Sequence, residues 1–143
     1  MTRINLIDPS HLTKRHLIAE YKEITQFLHN VKKSNLKDIP KHFTLGTGHV
    51  KFFYTKGEYI FDRFCSLKEE LINRSVKLDE EKFSDRLNEM LNSFDPNHGY
   101  NNYKPCKLDY LIVIERIKLR INEKPHLYPD SKLFFDNIEV YTI

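Results

Sequence analysis

Apolar residues recur at helical spacing in the first part of the chain, between His11 and Lys33. Intervals of three and four residues place them on one face of an α helix, so this stretch is predicted to be a helix that packs that face on a core. Asp8 followed by Pro9 is typical of a helix start, and Ser10 is a second candidate for the capping residue. The apolar positions of the face are Leu17, Tyr21, Ile24, Leu28 and Val31.

A second long helix is predicted between His49 and Val76, where apolar and aromatic residues are dense. Gly57 lies inside this stretch and is a candidate kink. Residues 34–48 are predicted to form a loop because turn-forming residues are frequent there, and a Gly-Thr-Gly sequence near its end allows close backbone approach.

The later part of the chain alternates between periodic and irregular stretches. A shorter, acidic helix is predicted over residues 79–92, followed by a loop over residues 93–105. The tail, residues 126–143, is rich in aromatic residues but has no long periodic pattern. We therefore expect it to wrap the helices as an ordered coil.

Leucine and isoleucine are dense over residues 106–123, a pattern that fits either a strand or a helix. Charged residues interspersed among them favour a half-buried helix, which would end before Pro125. On such a helix Arg116 and Arg120 are four residues apart and share one face.

The length and composition of the chain fit one folded domain, predicted to span residues 1–143. Apolar residues make up 40% and charged residues 30% of the sequence. No apolar run approaches the roughly 20 residues that cross a bilayer, and polar residues interrupt the N-terminal stretch where a signal peptide would be continuous. We expect no membrane association and a cytoplasmic location.

Cysteine and histidine spacing gives no indication of a metal site. Cys65 and Cys106 form no Cys-x-x-Cys pair and are interpreted as reduced thiols. The seven histidines show no recognisable zinc-binding spacing. We predict neither a metal nor another cofactor.

Charge is distributed unevenly along a chain whose net charge is only +3. Residues 1–60 carry 10 basic and 5 acidic side chains, residues 61–100 carry 6 and 9, and residues 101–124 carry 6 and 3. If the fold brings the two basic ends together, one face can bind phosphates while the acidic part faces away. Most such runs are only solvated helix faces, so charge alone does not establish a nucleic-acid partner.

Three segments carry a specific similarity to a known family. They are residues 1–6 (Met-Thr-Arg-Ile-Asn-Leu), residues 16–23 (His-Leu-Ile-Ala-Glu-Tyr-Lys-Glu) and residues 45–56 (Leu-Gly-Thr-Gly-His-Val-Lys-Phe-Phe-Tyr-Thr-Lys). Together they resemble the pyrimidine-dimer DNA glycosylase family, and the similarity continues at residues 103–105 and 116–125. Pattern and resemblance together predict a single all-α domain of three main helices, with the N-terminal segment threaded between them and Thr2 near Glu23.

The resemblance implies an N-terminal nucleophile. Family members lose the initiator methionine, and the amine of the following threonine, here Thr2, attacks the sugar C1′ of the damaged nucleotide. An α-amine has a pKa of about 7.7 to 8.0, against about 10.4 for lysine, so much more of it is uncharged near neutrality. Without the resemblance, Thr2 would be interpreted as an ordinary frayed terminus.

The resemblance also implies roles for residues of the first helix. Glu23 matches the catalytic glutamate, which stabilises the cationic sugar or imine and assists removal of a proton from C2′. His16 matches a histidine near the reaction centre and is assigned to DNA binding. Glu20 is expected to be structural and to pair with a basic neighbour or a backbone amide.

Basic residues that match the family are assigned to the DNA backbone. Arg3 would bind phosphate beside the amine, and Arg116 and Arg120 match a basic pair whose second member is usually lysine. Lys22 and Gln26 are also assigned to DNA binding, at positions where the family commonly has arginine. The lysine keeps the charge without the bidentate geometry, and the glutamine loses the charge.

The resulting hypothesis is a monomeric glycosylase with abasic-site lyase activity that acts on pyrimidine dimers in double-stranded DNA. Leu127 replaces a family tryptophan while Tyr128 keeps its aromatic neighbour, and these departures leave the lesion range open. The alternative is a non-catalytic helical DNA-binding module on the same scaffold. A metal-dependent nuclease ranks last because no carboxylate or histidine cluster is evident in the sequence.

Overall fold

The computed structural model describes residues 2–143, and helices account for most of that stretch. Within it, β pairing is confined to an isolated bridge between Lys56 and Tyr100, which confirms the predicted all-α class. None of the described helices is long and apolar enough to cross a membrane. The helices are α1 (Lys14–Glu23), α2 (Leu28–Lys33), α3 (His49–Phe52), α4 (Gly57–Asn73), α5 (Glu80–Ser93), α6 (Lys107–Glu123) and α7 (Ser131–Asn137).

The predicted helix over residues 11–33 begins later than expected. Asp8 and Ser10 belong to a short 3-10 helix, Pro9–His11, whose N-cap is Asp8. Thr13 is extended, with ψ of 154°, and its hydroxyl accepts a hydrogen bond from the His16 N–H at 3.2 Å. Thr13 therefore caps α1, and neither of the two residues expected from the sequence does so.

The same predicted helix is interrupted again at residues 24–27, which form a turn between α1 and α2. Ile24, Thr25, Phe27 and Leu28 are all buried. Four buried positions among five consecutive residues exceed the single stripe that one straight helix can turn toward a core. The prediction of one continuous helix is therefore wrong, although its apolar positions do contribute to the core.

The predicted helix over residues 49–76 is divided at Gly57. A Cβ atom at this position would lie 2.6 Å from Cγ of Phe94, closer than two non-bonded carbon atoms can approach. The Gly57 N–H also donates to the Gly99 carbonyl at 2.9 Å. The glycine thus admits the loop that follows α5, and it marks the boundary between two helices instead of a bend within one.

Of the three remaining predictions, the two for helices are confirmed and the one for the tail is wrong. The acidic helix forms as α5, capped by the Asp79 side chain, and the isoleucine-rich stretch forms α6. The tail is not a coil, because it contains α7 and a 3-10 helix, Ile138–Tyr141. A helix of seven residues is too short to leave a periodic signal, and only Phe134 of α7 is fully buried.

The N-terminal segment, residues 4–7, is buried without regular secondary structure. Its backbone groups bind side chains of the surrounding helices. The Asn5 N–H donates to Glu20 Oε1 at 3.2 Å, and a terminal nitrogen of Arg63 donates to the Ile7 carbonyl at 2.5 Å. Because a buried backbone group without a partner is costly, these contacts replace the hydrogen bonds that a helix or strand would supply.

Glu20 and Arg63 form a buried ion pair between α1 and α4. Their side chains are 0% and 5% exposed, and the guanidinium donates to both carboxylate oxygens, at 2.7 and 3.0 Å. Burial alone would lower the pKa of Arg63, but the Glu20 charge holds it above its ordinary value. Removing either partner would leave an unpaired buried charge, a change that costs about 3 to 5 kcal/mol. Glu20 thus pairs with both a basic neighbour and a backbone amide.

Candidate active site

Thr2 lies against the end of α1, beside Glu23. Its hydroxyl donates to the main-chain carbonyl of Glu23 at 3.1 Å, and the residue is 6% exposed. Glu23 is the last residue of α1 and is half-buried. The expected removal of Met1 concerns a residue outside those that the structure describes. The two residues assigned to catalysis from the sequence are therefore neighbours in the fold.

A cavity of about 320 Å³ lies between the N-terminal segment, α1 and α6. It brings the Glu23 carboxylate together with three arginines and one histidine from distant parts of the sequence. Five of the eight residues assigned to the site from the sequence line it. The complete lining is Arg3, Asn5, His16, Ala19, Glu20, Glu23, Arg116, Arg120 and Tyr128.

Arg3 and Arg116 are half-buried cations in this cavity with hydrogen-bonding capacity to spare. Arg116 donates to the Asn5 side chain, while its Nε and one terminal nitrogen of Arg3 are buried without a partner in the described chain. Burial, together with the positive charge of Arg3, lowers the pKa of Arg116 to about 10, so it is still a cation at neutral pH. Guanidinium groups that line a cavity can bind an anion such as a phosphate.

His16 faces the same cavity as a neutral group. Its ring stacks on Tyr128 with centroids 4.8 Å apart, and its Nδ1 lies 2.8 Å from the Thr13 hydroxyl. Burial and the nearby Arg116 lower its pKa to about 4. His16 can therefore offer a hydrogen bond to a ligand at neutral pH, but it adds no positive charge.

Lys22 and Gln26 lie elsewhere, in an adjoining groove of about 820 Å³. Both are exposed, and the structure does not bring them into the cavity of Arg3 and Arg116. Ala19 and Glu23 line both depressions, so Glu23 stands at the border between them. The groove is lined by Lys14, Arg15, Ile18, Ala19, Lys22, Glu23, Gln26, Leu127, Pro129 and Asp130.

Several residues that line these two depressions were not predicted from the sequence. Lys14 is one of them, although its spacing gave a signal. It lies eight residues before Lys22, and about two turns of a helix bring such positions to one side. Asn5 carried no comparable signal, since an asparagine in an irregular segment has no periodic neighbour. Its position depends on contacts with residues far along the chain.

The site combines one carboxylate with several cations, and each part has a defined chemical capacity. The arginines can bind the oxygens of a phosphodiester backbone, and the carboxylate can accept a proton or stabilise a developing cation. Among residues 2–143, no group of three or more His, Cys, Asp or Glu side chains is arranged to hold a metal ion. The fold and the site therefore define a class of helical proteins that can bind a phosphodiester.

Comparison with protein families identifies the group within that class. Residues 1–84 match the family model described as pyrimidine dimer DNA glycosylase. Since the match spans more than half of the chain, the protein belongs to the pyrimidine dimer DNA glycosylase family. It is a DNA-repair glycosylase that acts on damaged DNA. The matched segment includes Thr2 and Glu23, whereas Arg116 and Arg120 lie beyond it.

Proposed function

We propose that the protein is a monomeric, bifunctional glycosylase and abasic-site lyase that acts on pyrimidine dimers in duplex DNA. The observation that carries this proposal is the 3.1 Å contact between the Thr2 hydroxyl and the carbonyl of Glu23, a residue that lines a cavity rich in arginine. It supports a reaction in which an N-terminal amine and a carboxylate act on the same sugar.

The first step is base release by the Thr2 amine, once Met1 has been removed. The neutral amine attacks C1′ of the damaged nucleotide, and the bond between C1′ and the base breaks with its electron pair going to the base. The nitrogen then gives up a proton, and cleavage of the bond between C1′ and the ring oxygen leaves an imine between Thr2 and the opened sugar.

The second step is strand cleavage assisted by Glu23. Its carboxylate accepts a proton from C2′ of the imine, the electron pair forms a double bond between C2′ and C3′, and the bond from C3′ to its oxygen breaks. The departing group is the 3′-side fragment of the strand, which leaves with a phosphate at its 5′ end. Water then hydrolyses the imine and regenerates the amine.

The cations and the neutral histidine would hold the damaged strand during both steps. Arg3 and Arg116 have unpaired donors in the cavity, and Arg120 lies on the same face of α6. We propose that the enzyme extrudes the target nucleotide from the duplex, because Glu23 and the arginines line a cavity that a stacked nucleotide does not enter. His16 would donate or accept one hydrogen bond there.

Reduction with borohydride tests whether the protein is this enzyme or only a DNA-binding module. An imine is converted by borohydride into a stable amine, so we expect a covalent adduct with a dimer-containing duplex and with an abasic duplex. Mass mapping of digested adduct should locate the DNA remnant on the Thr2 peptide. An undamaged duplex of the same sequence is the control. Lesion binding without any adduct would favour the non-catalytic module.

Salt dependence tests the proposed phosphate contacts. Single changes of Arg3, Lys22, Arg116 or Arg120 to alanine should each weaken binding and reduce the slope of log K against log salt by about one. Fluorescence anisotropy at several salt concentrations measures this slope. The exposed Lys82 of α5, which lines neither depression, is a matched control, and K82A should leave the slope unchanged. Unaltered slopes in all four variants would show that the DNA-binding face lies elsewhere.

A further inference from the structure

His49, the first residue of α3, is fully buried and makes two hydrogen bonds with opposite senses. Its Nε2 accepts from the Ile4 N–H at 2.9 Å, and its Nδ1 lies 2.9 Å from the Thr44 carbonyl. A carbonyl can only accept, so Nδ1 carries the proton and Nε2 is the free acceptor. Burial lowers the pKa of His49 to about 4, which keeps this arrangement intact at neutral pH.

The hydrogen bond of the Ile4 amide can fix the position of Thr2. Only one residue separates them, and the segment has no helix or strand to fix its path. The next amide, that of Asn5, is held by Glu20. Hydrogen bonds to two successive amides leave the chain between Ile4 and Thr2 little freedom, because each further residue adds only two soft dihedral angles.

We propose that His49 is a positioning residue for the reaction, holding the Ile4 amide so that the Thr2 amine faces the Glu23 side of the cavity. The inference rests on the proposed function, since it requires the Thr2 amine to be the nucleophile. His49 does not line the cavity and acts only through the backbone of residues 2–4. A displacement of about 1 Å at a reacting group can cost about 100-fold in rate, so a single hydrogen bond is enough to matter.

Packing is the competing explanation for a buried histidine at this position. The ring meets Phe43 and Phe53 edge-on, with centroids 5.4 and 5.6 Å away. If His49 served only to fill this space, any change of the ring would act through stability alone. A test must therefore separate the Ile4 contact from the loss of the ring.

The pair H49Q and H49N makes that separation. The amide oxygen of glutamine can occupy the position of Nε2 and accept from Ile4, whereas the shorter asparagine matches Nδ1 and can donate only to Thr44. Each variant removes the ring and leaves one buried polar group unpaired, so their losses of stability should be similar. Thermal unfolding measures that loss, and hydrogen exchange of the Ile4 amide shows whether its bond is retained.

The decisive measurement is the single-turnover rate of borohydride trapping on an abasic duplex, with DNA affinity measured in parallel. We expect H49Q to trap within about threefold of the wild type and H49N to be slower by about 100-fold, with affinity within about twofold for both. Raising the DNA concentration should not restore H49N, since its defect is in the bound complex. Exchange of the Ile4 amide should accelerate in H49N alone.

The outcomes distinguish this inference from the proposed function. Equal trapping rates for H49Q and H49N, with the wild-type adduct on Thr2, would overturn the positioning role and leave the proposed function standing. Equal and large losses in both variants would assign His49 to packing. A wild-type adduct on a lysine would overturn the proposed function and this inference together.

Discussion

A protein whose Thr2 amine is acetylated, or extended by a short Gly-Ser segment, should form no borohydride adduct and break no glycosidic bond in a dimer-containing duplex. The amine is the proposed source of the imine nitrogen, and an amide nitrogen in its place has no available electron pair. A lysine cannot replace it efficiently, because the pKa difference makes its neutral fraction roughly several hundred times smaller near pH 7. We therefore expect adduct formation to fall by at least about 100-fold.

Binding should survive this modification, because the arginines that line the cavity are unchanged. Lesion affinity measured by anisotropy is the companion readout, and it identifies a protein that is blocked but folded. A protease site placed so that cleavage exposes Thr2 provides a matched control, since the same sample should recover activity when it is cut. The extended protein still carries an α-amine at its new terminus, so the acetylated protein decides the point. Normal adduct formation by the acetylated protein would show that the nucleophile is a side chain.

Glu23→Gln should preserve lesion binding while lowering turnover by about 100-fold to 10,000-fold. Glutamine keeps the size and hydrogen-bonding reach of glutamate but cannot accept the C2′ proton. If the Glu23 side chain were only a solvated surface group, this change would alter the free energy of unfolding by no more than about 0.5 kcal/mol. The backbone contact with Thr2 uses the carbonyl of residue 23, so the substitution does not remove it.

Two substrates separate the roles assigned to Glu23. An abasic duplex bypasses base release, so strand cleavage on it reports proton removal alone, while a dimer-containing duplex reports both steps. E123Q, at the exposed end of α6 and outside both depressions, is the matched control. Near-normal rates of E23Q on both duplexes would remove Glu23 from the mechanism.

The fold class and most helix positions could be predicted because their signals are local. The apolar spacing of α1 and α6 and the aspartate that caps α5 each depend on residues within about one or two helical turns. The sequence indicated an interruption at Gly57. A glycine is required there because Phe94 packs against it, and no spacing in the sequence connects these two residues. The division of residues 11–33 into separate helices likewise depends on which buried residues meet which partners.

The parts of the site that the sequence could not predict are held by contacts between distant residues. Arg63 binds a glutamate 43 positions away, and His49 binds an amide 45 positions away. No periodicity connects such pairs, since their proximity exists only after the helices have packed. Resemblance to a family did indicate Thr2, Glu23 and the arginines, but it said nothing of the side chains that fix the N-terminal segment.

The depth at which Thr2 lies has a consequence for how damage would be told apart from intact DNA. Thr2 is 6% exposed in the chain that still carries Met1, and its hydroxyl is held by the last residue of α1, so under the proposed chemistry the DNA has to deform toward it. Opening costs least where a lesion has already weakened stacking and pairing. Under the proposed chemistry, the enzyme would first select DNA by how easily it deforms. Stiff, undamaged duplex would then dissociate before its glycosidic bonds reach the active site.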